Sequence, residues 1–99
     1  WTLSLAIDRT EFQAGESVTI VATANQNVYD TQQTYKVYIN DLTTGETIQT
    51  CYNNWGTSGS NYTCTAIKRY NTGSTHEYEA VVASYTDQET NIQATSNKV

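Results

Sequence analysis

Apolar residues in this chain recur at every second position, in runs too short for anything but half-buried strands. Successive strand side chains point to opposite faces, so each run predicts one face against a core and one in water. Leu3, Leu5 and Ile7 alternate with Thr2, Ser4 and Ala6 in a first stretch. After an Ala14-Gly15-Glu16 turn, Val18, Ile20, Ala22 and Ala24 face one way, and Thr19, Val21 and Thr23 face the other. A polar connection from Asn25 to Gln33 leads to a third stretch, with Tyr35, Val37 and Ile39 inward and Lys36, Tyr38 and Asn40 on the reverse. Thr44-Gly45, within Asp41 to Glu46, is a hairpin signal.

A fourth stretch runs from Thr47 to Tyr52 and a fifth from Tyr62 to Arg69, ended by Asn71-Thr72-Gly73. The sixth spans Thr75 to Tyr85 with Tyr78, Ala80 and Val82 inward, and Asp87 to Asn91 turns the chain into a seventh from Ile92 to Val99. Neither an internal repeat nor an amphipathic helix interrupts this series, and 99 residues make a single domain, 1–99.

The chain has two cysteines, Cys51 and Cys64, closing a polar segment. In a small strand-rich domain the pair reads as one structural disulfide and points to an oxidising, extracellular setting, secreted or on a cell surface. Seven short strands with an inward Tyr on the sixth describe an all-β immunoglobulin-like sandwich. The antibody pattern, a central bridge from strand B to strand F, does not fit cysteines placed around the fourth-to-fifth connection. A fibronectin type III-like layout fits better, with strands A, B and E facing C′, C, F and G. In it the bond joins the end of C′ to E, and Tyr78 is the core aromatic of F, its hydroxyl bonding nearby backbone.

Ten acidic against five basic residues give a net charge of −5. That argues against nucleic acid or anionic membrane as the partner, since phosphate binding needs clustered Lys and Arg. No apolar run approaches membrane-spanning length, so membrane insertion is not expected. The opening at Trp1, without Met or a leader pattern, suggests a mature protein or a piece of a larger one.

His76, the sole histidine, lies beside Glu77 and Glu79 and reads as a polar strand-end residue. Gly56-Thr57-Ser58-Gly59-Ser60 misses the nucleophile-elbow pattern, and one histidine with a bonded cysteine pair leaves zinc short of ligands. No enzyme activity and no cofactor are expected. Calcium needs several converging oxygens; Asp87 and Glu89 in the F–G turn and Asp30 in the B–C loop share one end of such a sandwich. The stapled loop holds Trp55 with Tyr52, Tyr62, Asn53 and Asn54, a mixture of stacking rings and amides suited to a polysaccharide, and outward Tyr38 extends that platform. Asn61-Tyr62-Thr63 matches a glycosylation sequon, read here as chance.

The segments Gly15 to Asn25, Tyr35 to Glu46 running on to Cys51, Thr75 to Ala83, and Gln93 to Asn97 lie in order along the chain. Together they resemble a family of bacterial extracellular immunoglobulin-like or fibronectin-like repeats of large secreted or surface proteins. The resemblance implies a structural or adhesive module, a spacer or subunit whose partners are neighbouring domains or identical copies, with no shared catalytic residue or ligand. Relatives with the cysteine pair carry a shorter Gly/Ser-rich segment than the one holding Trp55. In such arrays one repeat ends Ser-Asn-x-Val and the next soon opens with Trp. This chain ends Ser96-Asn97-Lys98-Val99 and begins with Trp1, as a single excised repeat would. The alternative function is a carbohydrate-binding module using the loop around Trp55.

Overall fold

The computed structural model describes residues 2–25, 35–51 and 63–99. Every regular element among them is a strand: β1 (Leu3–Ile7), β2 (Glu11–Phe12), β3 (Ser17–Ala24), β4 (Tyr35–Asp41), β5 (Glu46–Cys51), β6 (Thr63–Arg69), β7 (Ser74–Thr75), β8 (Tyr78–Ser84) and β9 (Ala94–Thr95). They form a three-stranded sheet in the order β1-β3-β6, a four-stranded sheet in the order β5-β4-β8-β9, and a small β2-β7 ribbon, all antiparallel.

The alternating pattern produces the core directly. Leu3, Leu5, Val18, Ile20, Ala22 and Ala66 from one sheet pack with Val37, Ile39, Tyr78, Ala80 and Val82 from the other in one buried cluster. Removing a side chain of this size from water is worth about 1.5–3 kcal/mol, so the shared interior holds the two sheets face to face. Asn25 N–H bonds to the Thr2 carbonyl beside the end of β3, whereas Val99 exchanges backbone bonds with Tyr78. Tyr78 lies against Tyr70, which follows the β6 residue paired with Ser17. Thr2 and Val99 therefore sit at opposite ends of the sandwich.

Both open seams between the sheets are fastened. On one side a buried disulfide joins Cys51 of β5 to Cys64 of β6, with Cα atoms 5.8 Å apart, and Lys68 Nζ meets Glu46 Oε1 at 2.8 Å. On the other, the Asn97 amide accepts from Leu5 N–H (2.9 Å) and donates to the Leu5 carbonyl (3.1 Å), occupying the outer edge of β1 as a neighbouring strand would. Ser96 Oγ accepts the Ala80 N–H at 2.8 Å, anchoring the same segment to β8.

Three sequence expectations are corrected. The expected seventh strand shrinks to Ala94–Thr95, because Ser96 and Asn97 spend their side chains in the seam rather than continuing a regular ladder. The expected sixth strand is interrupted at His76 and Glu77, leaving β7 to pair with β2 and β8 to begin at Tyr78. The Tyr78 hydroxyl bonds to the Tyr70 hydroxyl at 2.9 Å rather than to backbone. At two glycines the backbone geometry disfavours a larger residue: Gly45 adopts φ +79° in the β4–β5 turn, and at Gly73 a Cβ would stand 3.1 Å from the Phe12 carbonyl oxygen.

Candidate functional site

At one end of the sandwich the inward face of β4 finishes on a carboxylate. Asp41 continues the Val37, Ile39 parity, and its side chain is fully buried. Its Oδ1 accepts the backbone N–H groups of Thr43 (2.9 Å) and Thr44 (3.2 Å), setting the turn into β5. Its Oδ2 accepts the Tyr70 hydroxyl at 2.6 Å and lies 2.6 Å from His76 Nδ1. An ionised carboxylate only accepts, so Nδ1 carries the proton in this contact. Tyr70 in turn meets Tyr78. Phe12 of β2 stacks on Tyr70 with ring centres 4.7 Å apart, and the His76 ring lies 4.2 Å from the Tyr70 ring.

The electrostatics follow from this enclosure. Burial opposes the Asp41 charge, but the bonds from Tyr70, His76 and the Thr44 N–H, with the charge of His76, outweigh it and hold the carboxyl below the usual carboxylate range. Burial, reinforced by the bonds to Asp41 and Tyr78, pushes the Tyr70 hydroxyl well above the ordinary phenol range. Burial also raises Tyr78, partly offset by its bond to Tyr70. Both phenols are therefore neutral in ordinary buffers. The arrangement can hold a buried acid–imidazole pair and clamp the β2-β7 ribbon against β4 and β8. Among the described residues, no hydroxyl or thiol bonds to the other His76 ring nitrogen.

The side chain of His76 is 8% exposed, deep in this cluster rather than at the surface as its polar surroundings suggest. Asp41 and Tyr70 were not singled out by sequence reasoning. The available signal was parity: Asp41 is in phase with Ile39, Tyr70 with Ala66, and His76 with Tyr78.

The candidates for ligand binding fall elsewhere. Tyr52, Asn53, Asn54, Trp55 and Tyr62 lie outside the described residues, as does Asp30. Tyr38 is on the reverse face of β4, as its parity predicts, but that face is covered. Tyr38 is buried with Val81 and Ala83, and its hydroxyl donates to the Ser84 carbonyl at 2.6 Å. Burial, with the nearby Asp87 charge, raises the titration of that hydroxyl. The 85–93 connection folds back over this face. Gln88 accepts from Asn40 (2.6 Å) and donates to Thr47 (3.0 Å), and Thr47 donates to Asn40 (2.7 Å), closing a ring of three hydrogen bonds.

Asp87 and Glu89 are exposed. The Asp87 carboxylate accepts from Thr90 Oγ1 and Glu89 N–H, bonds that hold it below the usual range and build the turn. Among the described residues no three acidic, histidine or cysteine side chains converge on a point. No protein-family model matches this chain, and neither the curated proteins nor the solved structures provide a match.

Proposed function

We propose that this chain is a non-catalytic immunoglobulin-like module of the fibronectin type III kind, acting outside the cell as a spacer or adhesive unit. The observation that carries the reading is the buried Cys51–Cys64 bond from β5 to β6, joining a β1-β3-β6 sheet to a β5-β4-β8-β9 sheet. These orders support a reading as A-B-E and C′-C-F-G, in which the bond would be the C′-to-E tie. A fully buried disulfide in a domain of this size belongs to an oxidising compartment. Thr2 and Val99, held at opposite ends, suit a unit through which tension or connection passes lengthwise.

The test is where the protein is found and in what redox state. An antibody against the folded domain should label intact, unpermeabilised source cells or their medium, with both cysteines resistant to alkylation until reduced. Recovery from the cytosol with two free thiols would overturn the reading.

A further inference from the structure

The sandwich has a polar fastening that neither its strand order nor its disulfide requires. Asp41 faces four donors: Tyr70 O–H, His76 Nδ1–H and the N–H groups of Thr43 and Thr44. We propose that the Asp41–His76 pair is an acid-operated latch, which holds the β2-β7 ribbon to the base of the sandwich and releases it when Asp41 takes up a proton.

Release turns on what each partner has left after that proton arrives. A neutral Asp41 carries an O–H into a space where its neighbours already donate. The Tyr70 hydroxyl can turn to accept it while donating its own hydrogen bond to the Tyr78 oxygen at 2.9 Å, but His76 has no such remedy. A doubly protonated imidazole enclosed to 8% exposure loses its counter-charge when Asp41 is neutralised. Among the described residues no other side chain replaces that charge. Just after β6, Tyr70 is neutral, and Lys68 of β6 near its ring is a further cation engaged with Glu46 of β5. From β8, Tyr78 is neutral. From β2, Phe12 offers an apolar ring beside the exposed Glu11. The Glu77 N–H bonds to Thr43 Oγ1, and Glu77 is exposed. The cheapest relief is for His76 to reach water, and His76 directly follows β7. The ribbon has two residues on each strand, so little backbone pairing resists its departure.

The sign fixes the window. The folded carboxyl titrates below its unfolded value, so the latch is shut above about pH 4 and opens as pH falls through the folded value.

Amide hydrogen exchange read by NMR, corrected for intrinsic rates, tests this directly. Between about pH 6 and about pH 2.5 those amides of Glu11, Phe12, Ser74 and Thr75 that bond across the ribbon should lose at least tenfold in protection, while Ile20, Ile39 and Val82 keep theirs. His76→Asn places an uncharged N–H donor near the Nδ1 position and should abolish the acid sensitivity of the ribbon. Asp41→Asn should exchange the ribbon at about pH 6 as fast as the parent does in acid. Should Asp41→Asn fail to fold, the parent and His76→Asn still decide the matter. Equal ribbon protection at both pH values, loss spread uniformly over β3, β4 and β8, or an unchanged acid response in His76→Asn would each overturn the latch.

Discussion

The Asn97 amide is a substitute for a missing strand, and replacing it should expose how much the free edge of β1 costs. Its Oδ1 and Nδ2 satisfy the N–H and the carbonyl of one residue, Leu5, at 2.9 and 3.1 Å. Leu5 itself is in the core, so its backbone lies at the margin of the buried region. Two hydrogen bonds at about 1 kcal/mol each would be lost in Asn97→Ala, and water reaching the half-open edge recovers part of that. The expected loss is about 1–2 kcal/mol, or roughly 5–10 °C in Tm for a domain of this length.

Asn97→Asp is the sharper variant. One carboxylate oxygen still accepts from Leu5 N–H, but the other now faces the Leu5 carbonyl oxygen without a proton between them. At about pH 7 the cost should equal or exceed that of the alanine variant, about 2–3 kcal/mol. That repulsion raises the folded pKa of the introduced carboxyl above its unfolded value of about 3.9. A raised folded pKa means the favourable contribution belongs to the protonated form. It is fully present below the unfolded value and is lost as pH rises through the folded one. Urea unfolding of parent, Asn97→Ala and Asn97→Asp at about pH 7 and about pH 4, compared within each pH, provides the assay. The Asp penalty should shrink in acid and the Ala penalty should not. An alanine variant within about 0.3 kcal/mol of the parent, or an Asp penalty independent of pH, would refute the edge-strand argument.

Three further outcomes follow from the packing. The double variant Cys51→Ala/Cys64→Ala frees a loop of 13-residue separation, which the chain-entropy relation puts at about 3 kcal/mol; a urea midpoint unchanged from the parent would contradict it. Tyr70→Phe removes the hydroxyl linking Asp41 to Tyr78 and should cost about 2 kcal/mol by urea unfolding, a bond to a charged group being worth about 1.5–3 kcal/mol. Gly73→Ala places a methyl 3.1 Å from both the Phe12 carbonyl oxygen and Gln13 Cα; about 1–3 kcal/mol of destabilisation is expected, with the amide shifts of Phe12 and Thr75 moving most.

Most of the sheet architecture was readable from parity alone, because a strand with one wet face must alternate. The inward sets of β1, β3, β4 and β8 all lie in the shared core. What escaped was where polar residues take inward positions. Asp41 and His76 are in phase with Ile39 and Tyr78, yet acid and imidazole identities suggested loop and surface. Their burial is tolerable only because each finds the other across 35 residues, and no local pattern announces such a meeting. Seam closure is equally non-local: Asn97 and Leu5 are 92 residues apart, and a sequence ending in alternating residues predicts a strand there, not a side-chain clasp. Tyr38 illustrates the reverse limit. Its face was legible, but its burial depends on Gln88 pinning the 85–93 connection to Asn40 and Thr47.

Two of the fastenings, the disulfide and the Asp41–His76 cluster, use opposite chemistry at separated points, and this has a consequence for how the domain fails. Cys51 pairs in register with Val37, whereas the polar cluster begins at Asp41, four residues along the same strand and about 13 Å away. The disulfide acts mainly by restricting the unfolded chain and is removed by reduction, whereas the Asp41–His76 cluster acts on the folded state and is removed by acid. They share no side-chain partner among the described residues, so their contributions should add. Combining Cys51→Ala/Cys64→Ala with Tyr70→Phe should give the sum of the separate losses within about 0.5 kcal/mol. Because that sum, about 5 kcal/mol, approaches the whole stability of an ordinary domain, the measurement belongs in a stabilising osmolyte. A combined loss well below the sum would mean that the two ends report on a single cooperative contact between the sheets, and the picture of independent fastenings would have to be abandoned.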